Sequence, residues 1–274
     1  MADLSFKQIY IKYNLVLKYI DCLCKNVSLY ADKLPVEIKL ADNKINNYLN
    51  STILKMIVES VDFKKDLNLL DLGCGSGEKG ISLKQIFPKL RIYGLETTSY
   101  DDPDHIERKP YIIFEKIYPS LNNKYKVDLG LYDGLNIPFS DSFFDIIVLY
   151  AVIEHIAPEN RKVFIDTISK KLKKDGYIVI TRCPRYWGLM EFISRKLKLG
   201  AHPWVLKKNE LLGLFDKDKF SVEVLKRMNN IPNNHVVSKY FHKILIPLDK
   251  FLDLIHWPFS TDYFLIVKKI TNSV

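Results

Sequence analysis

The sequence predicts an α/β fold: a seven-stranded, mostly parallel sheet flanked by helices, with N-terminal helices before it and an aromatic, basic lid insertion ahead of its last two strands. Two observations lead there. The run from Leu67 to Phe87, LNLLDLGCGSGEKGISLKQIF, passes from a short apolar strand through closely spaced glycines into helical spacing. Beyond it, short apolar runs alternate with amphipathic segments, which is how a sheet wound with helices is written. At 274 residues the chain can bury a full core, and one elaborated domain fits better than two equal ones.

The elements follow in order. Ile9, Tyr13, Val16, Ile20, Leu23 and Val27 recur at steps of four and three, so residues 5–28 read as a helix whose polar face carries Lys12, Lys18 and Lys25. Such a helix needs a partner, either the core or a second subunit. A turn near Lys33-Leu34-Pro35 and a polar stretch from Asn43 to Asn50 precede a second helix, Ile53 to Val61. Leu67, Leu69, Leu70 and Leu72 mark the first strand. Gly73, Gly75 and Gly77 then give the backbone its tight turn and close approach to a ligand, and Leu83, Ile86 and Phe87 begin a helix. Pro88 stops that helix, and Leu90 to Glu96 is the second strand, ending in an acid.

A helix around Tyr111 to Ile117 carries the crossover to the third strand. Asp101, Asp102, Asp104 and His105 resemble a metal cluster only superficially, because Pro103 and their crowding make them a solvated loop. The fourth strand is Ile146 to Tyr150. A helix starts at Pro158 with Phe164, Ile165, Ile168 and Leu172 inside, ends at Asp175-Gly176, and gives way to a fifth strand, Tyr177 to Thr181. Strand six lies near Phe220 to Leu225 and strand seven at Tyr263 to Lys268. Between them Leu248, Phe251, Leu252 and Ile255 define a short amphipathic helix starting at Pro247.

Composition narrows the class. Four cysteines (Cys22, Cys24, Cys74, Cys183) give neither a disulfide framework nor zinc-site spacing, which fits a reducing cytoplasm. Early charges at Asp3, Lys12 and Lys18 are unlike a targeting signal, and no run is long enough to span a bilayer. Residues 182–250 hold fourteen Lys or Arg against six Asp or Glu, so eight of the nine excess positive charges lie there. With Lys239, Lys243 and Lys250 beside the amphipathic helix, a peripheral membrane contact is one reading of that basicity, and a plain core-facing helix is the other.

The glycine loop admits two registers. Gly75, Gly77 and Gly80 fit a dinucleotide fingerprint, with Glu96 placed to hold a ribose, but Gly75 then lies too far past the strand. Read as Asp71-Leu72-Gly73-Cys74-Gly75-Ser76-Gly77, the stretch resembles the first motif of class I S-adenosylmethionine-dependent methyltransferases. Downstream, Asp133-Gly134, Ile137-Pro138-Phe139, Asp141, Phe144-Asp145 and Val152-Ile153-Glu154-His155-Ile156 are similar to the methyltransferase type 11 group that includes ubiquinone and menaquinone biosynthesis enzymes. The resemblance covers about residues 67–182. It implies a Rossmann-like fold with S-adenosyl-L-methionine as cofactor, bound by Asp71, Gly73, Cys74, Gly75, Gly77, Glu96, Thr97, Asp133, Gly134 and Tyr150. In that reading Glu96 accepts from the ribose hydroxyls and Asp133 from the adenine amino group. It also implies that the N-terminal helix closes over the cofactor.

The resemblance divides the chain into an N-terminal helical segment (1–62), a cofactor-binding core (63–182), a lid or acceptor insertion (183–219) and a C-terminal part (220–274). The acceptor should meet the methyl group between Tyr150, Glu154 and His155 and whatever follows Thr181, since ligands of open α/β sheets sit beyond the strands' carboxyl ends. His155 is the candidate base for a hydroxyl or amine acceptor, with His202 in reserve; a structural imidazole is the alternative. Ala151 stands where related metal-dependent enzymes carry a first acid, so no metal is expected. Cys183 reads as a structural thiol. A small-molecule acceptor is expected, with a sugar or lipid intermediate of the cell envelope as the candidate class. RNA, protein and a retired binding module are the alternatives, and the absence of an RNA-binding motif argues against nucleic acid.

Overall fold

A computed structural model of the protein describes residues 5–30, 40–63, 65–97, 109–197, 202, 204–232 and 235–270. Seven strands form one sheet in the order β3-β2-β1-β4-β5-β7-β6. They are β1 (Asn68–Leu72), β2 (Arg91–Thr97), β3 (Asp128–Tyr132), β4 (Phe144–Tyr150), β5 (Leu172–Pro184), β6 (Phe220–Met228) and β7 (Asp262–Lys269). The β1/β2, β2/β3 and β4/β5 pairs are parallel, whereas β5/β7 and β6/β7 are antiparallel. The predicted mostly parallel α/β sheet is therefore present, and the chain falls into two compact units.

The first unit, Met1–Asn136 with Asn233–His242, carries β1 to β3 and the helices α1 (Phe6–Tyr30), α2 (Lys44–Ser60), α3 (Glu78–Ile86) and α4 (Lys109–Tyr125). All five residues of β1 are buried, as in a strand covered on both faces; each leucine so placed contributes roughly 1.5–3 kcal/mol. α1 buries Ile9, Tyr13, Val16, Leu17 and Ile20. Its partners include α2 and α3, reached through Asn47 Nδ2 to Asn14 Oδ1 (3.0 Å), Asn50 Nδ2 to Tyr13 OH (2.6 Å) and Lys12 Nζ to the Gln85 carbonyl. Those asparagines correct the sequence reading. The polar stretch Asn43 to Asn50, expected ahead of the second helix, is its start: Asn43 caps α2 by accepting from the Asn46 N–H, and Asn47 and Asn50 lie within the first turns of the helix, buried against α1. Asn122 on α4 brackets β3 by exchanging both hydrogen bonds with the Leu129 backbone.

The second unit, Ile137–Pro232 with Lys243–Val274, carries β4 to β7, α5 (Pro158–Lys171), α6 (Leu189–Leu197), α7 (Lys208–Gly213) and most of α8 (His235–Leu254). Two boundaries differ from expectation. α5 ends at Lys171, not at Asp175-Gly176, because buried Lys269 Nζ donates to the Ser169 and Leu172 carbonyls at that end (2.8 and 2.9 Å). Asp175, at φ 62°, then sits in an irregularity where Phe144 pairs with Leu172 but Ile146 with Tyr177. Likewise Pro247 does not start a helix but lies inside α8, on its exposed side, where water can satisfy the carbonyl one turn back. Buried Arg185, just past β5, ties down the loop after α8 by donating to the Pro258 and Ser260 carbonyls (3.2 and 2.5 Å). The acidic cluster at Asp101 to His105 and the turn at Lys33 to Pro35 lie outside the described residues.

Candidate functional site

In the first unit, the polypeptide leaves β1 through three left-handed glycines, Gly73 (φ 76°), Gly75 (φ 55°) and Gly77 (φ 75°), a conformation costing other residues roughly 1–2 kcal/mol each. The loop folds back because the Gly73 and Cys74 amides donate to the Leu95 carbonyl (2.8 and 3.2 Å) and the Gly77 amide to the Cys74 carbonyl (2.9 Å). The glycines are not equivalent. A Cβ on Gly77 would meet Leu129 Cδ1 at 2.5 Å, so the Leu129 side chain would have to shift, whereas a Cβ on Gly75 would meet nothing within 4 Å. Gly75 therefore borders open space. Its peptide is gripped from both sides, the N–H donating to Glu96 Oε2 (2.5 Å) and the carbonyl accepting from Tyr118 OH (2.5 Å).

Three acids belong to this loop. Asp71 is 2% exposed, and neither carboxylate oxygen has a properly formed hydrogen bond. Burial pushes it up to about 7; Lys79 and the Gly80 amide pull it back, while Glu78 and Glu96 add to the rise. Burial also opposes the charge on Glu78, but Lys79 and Ser76 beside it hold it below its ordinary value. Glu96, buried at the end of β2, holds both the Gly75 amide and the Thr97 amide (3.0 Å). The Asp71 carboxylate is enclosed against α3, its Oδ2 3.4 Å from where a Cβ on Gly80 would stand, whereas the open space lies beside Gly75, next to the peptide that Glu96 and Tyr118 hold, and gives a ligand room there.

The remaining predicted residues of this unit divide. Cys74 turns its side chain inward, its Sγ lying 3.6 Å from Tyr118 OH, and burial raises its pKa well above that of a free thiol, so it shapes the loop from beneath. Asp133 follows β3, whose Tyr132 pairs in register with Thr97, so the loop after β1, Glu96 and Asp133 occupy the carboxyl ends of three adjacent parallel strands. Its exposed carboxylate accepts from the Leu135 amide (2.8 Å) and from the Asn136 amide and side chain (both 2.7 Å), bonds that hold it below the usual range. Carboxylate oxygens offer about four lone-pair sites, so another donor can still be accepted. Gly134 continues that turn at φ 82°. Sequence reasoning missed Tyr118 and Tyr132. Burial and neighbouring Glu96 raise the Tyr132 phenol, which keeps it a neutral donor.

In the second unit, Tyr150 ends β4 in register with Thr181, and the Ala151 amide donates to the Thr181 carbonyl (3.0 Å). Ala151 takes φ 54°, and a single tight turn, Ile153–His155, follows. That turn drives Glu154 inward until it is 0% exposed, with both oxygens lacking a hydrogen-bond partner. Burial pushes Glu154 up to about 8; His202 and Arg182 counter it and Asp262 adds to it. The His155 ring lies 6.1 Å from that of His202, centroid to centroid. His202 is held by Glu191 through its amide and its Nδ1 (both 3.0 Å); burial lowers its pKa, but Glu191 and Glu154 prevail and raise it. Arg182 Nη1 lies 3.7 Å from Asp262 Oδ2, which also accepts from Asn229 Nδ2. Glu191, Arg182, Asn229 and Asp262 were invisible to sequence reasoning, being scattered over 81 positions. Buried Cys183, its thiol raised by burial and by Glu154, is a structural thiol. Among the described residues, no group of three His, Cys, Asp or Glu is arranged to hold a metal ion.

The family model for a methyltransferase domain matches residues 41–227. Among solved structures, an S-adenosylmethionine-dependent methyltransferase from Methanosarcina mazei is 18% identical, with a TM-score of 0.50 over 78% of this chain and 97% of that one. A putative sarcosine dimethylglycine methyltransferase from Galdieria sulphuraria is 15% identical, with a TM-score of 0.52 over 82% and 85%. A chain of the complex between the Haloferax volcanii Trm112 methyltransferase activator and the putative methyltransferase is 13% identical, with a TM-score of 0.58 over 85% and 95%. At these identities the likeness is one of fold.

Proposed function

Because the chain belongs to the methyltransferase-domain family, we propose that it moves the methyl group of S-adenosylmethionine to an oxygen or nitrogen atom of a small-molecule acceptor. The observation that carries this reading is the open space beside Gly75, whose amide Glu96 holds, at the carboxyl ends of three adjacent parallel strands. Asp71 would act on the cofactor's ammonium group through its charge from beneath the loop, Glu96 would accept from the ribose hydroxyls, and Asp133 with Gly134 would take the adenine edge. Thr97 adds a contact near the ribose, and Tyr150 stands at the start of the acceptor-side segment. The bound sulfonium supplies a methyl group that is already activated. What the protein adds is alignment and exclusion of water, and alignment alone can be worth ~7–11 kcal/mol.

An acceptor hydroxyl or ammonium must also give up a proton, and we assign that proton to His155. His202 is the poorer base, since Glu191 favours its protonated form. Residues 183–219, with Tyr186, Trp187 and His202, would form the acceptor side. Their aromatic and basic character suits a sugar or lipid intermediate of the cell envelope. Calorimetric titration tests the reading: S-adenosylmethionine should bind and a nicotinamide dinucleotide should not, and the reverse would overturn it. Incubating the protein with labelled cofactor and fractionated extract then separates the acceptors. Label in RNA, with steep salt dependence, or in protein would replace the small-molecule assignment; cofactor binding with no transfer to any fraction would mark a retired enzyme.

A further inference from the structure

α8 presents an apolar stripe that the described protein does not cover. Ile244 (68% exposed), Leu248 (42%), Phe251 (56%) and Ile255 just past its end (48%) recur at helical spacing, and Tyr240 and Phe241 extend the stripe one turn earlier. The helix's two acids point the other way: Asp249 is buried and Asp253 half-buried, and both accept hydrogen bonds from Asn230. Lys239, Lys243 and Lys250 are exposed along one edge of the stripe. Its outward side thus shows only apolar surface and positive charge. At the far end, Phe259 (49% exposed) follows, and its carbonyl accepts from the Leu189 amide, so the apolar surface runs on toward Trp187 (67% exposed).

Among the described residues no helix is long and apolar enough to cross a membrane, so the stripe's use must be lateral. We propose that α8 docks the protein on an anionic lipid surface, lying flat with its stripe in the headgroup boundary and its lysines on the lipid charges. An amphipathic helix with aromatic residues on one face and a lysine edge binds in this way. A second copy of the chain is a poorer occupant, because antiparallel two-fold pairing of this face would bring the two lysine edges onto the same side. The inference deepens the proposed function by saying where the acceptor is met. It rests on that reading for its purpose, though not for its test.

The test is vesicle flotation of the full chain, with cofactor affinity measured alongside by calorimetry. Wild-type protein should float with equimolar phosphatidylcholine and phosphatidylglycerol and much less with phosphatidylcholine alone. Ile244→Asp with Phe251→Asp should abolish flotation. Lys239→Glu with Lys243→Glu should weaken it by about fivefold or more per position, an effect that added salt mimics. All variants should keep wild-type cofactor affinity, which shows that they fold. No flotation by wild type, flotation unchanged in the aspartate variant, or an apolar face that proves on sedimentation to hold two copies together would each overturn the docking assignment. Loss of cofactor binding in wild type would instead sink the methyltransferase reading.

Discussion

The glycine loop after β1 and the polar cluster at the ends of β4, β5 and β7 use the same device, a buried acid without a hydrogen-bond partner next to left-handed backbone. In the first, the acid is Asp71 and the left-handed residues are Gly73, Gly75 and Gly77, for which positive φ carries no steric penalty. In the second, the acid is Glu154 and the left-handed residues are Ala151, Arg182 and Asn229, for which it does. There the strained backbone is held by contacts instead, from the Ala151 amide to Thr181 and from Arg182 and Asn229 to Asp262. A loop whose conformation is encoded residue by residue suits a common cofactor. A cluster that contacts hold in place can be rebuilt for a particular acceptor.

The largest expected effect would separate the two regions by function. His155→Ala should lower turnover by roughly 10²–10⁴-fold, the usual range for a general base, while cofactor affinity stays within error of wild type. Rescue by added imidazole would support a proton-transfer role. Full activity in the variant would confine His155 to structure and leave the second cluster without its proposed base.

The next effect tests whether the two acids are alike. Their folded pKa values, about 7 for Asp71 and about 8 for Glu154, lie above the unfolded ones, so the folded state keeps protons that the unfolded chain has already lost. Stability of the cofactor-free protein should therefore fall as pH rises from about 4 to about 8 and level off above that. His202 acts in the same direction: its raised pKa contributes stability below about 6.5 that is lost as pH climbs through the folded value. Asp71→Asn and Glu154→Gln should each stabilise the cofactor-free protein at pH above 8, by on the order of 2–4 kcal/mol, and flatten the profile. Only Asp71→Asn should also weaken S-adenosylmethionine, whose affinity in wild type should rise as pH passes 7. Denaturant midpoints across pH, with calorimetry, decide both points; equal loss of cofactor affinity in the two variants would erase the distinction.

That division also explains what could be read from the sequence. Asp71 to Gly77 is contiguous, and its chemistry follows from residue type alone, so the loop, the strand before it, the helix after it and the acid of β2 were visible. Tyr118, which holds the other side of the Gly75 peptide, lies 43 residues away on a helix, and nothing local marks it. Asn47 and Asn50 read as residues ahead of the helix because polarity was read without the buried partners Asn14 and Tyr13 that satisfy it. Pro247 looked like a helix start because the exposed side of α8 tolerates a missing N–H. Glu191, Asn229 and Asp262 meet through β5, β6, β7 and α6, and pairing of that range has no sequence signature in a single chain.

The smallest effect is the most direct test of the comparison, a reciprocal exchange at φ angles that nearly coincide. Gly75 and Ala151 sit at φ 55° and 54°, yet one is glycine beside open space and the other carries a methyl group. Gly75→Ala should cost about 1 kcal/mol, because the added Cβ meets no protein atom and brings only left-handed strain, but it should also weaken cofactor by intruding on the space left open. Ala151→Gly should relieve the same strain and, after the unfolded chain's gain in freedom, stabilise by up to about 1 kcal/mol without touching cofactor affinity. Both follow from denaturation midpoints and a titration. If Ala151→Gly instead destabilises, the methyl group is packed rather than merely tolerated, and the second cluster is as closely encoded by its residue types as the glycine loop.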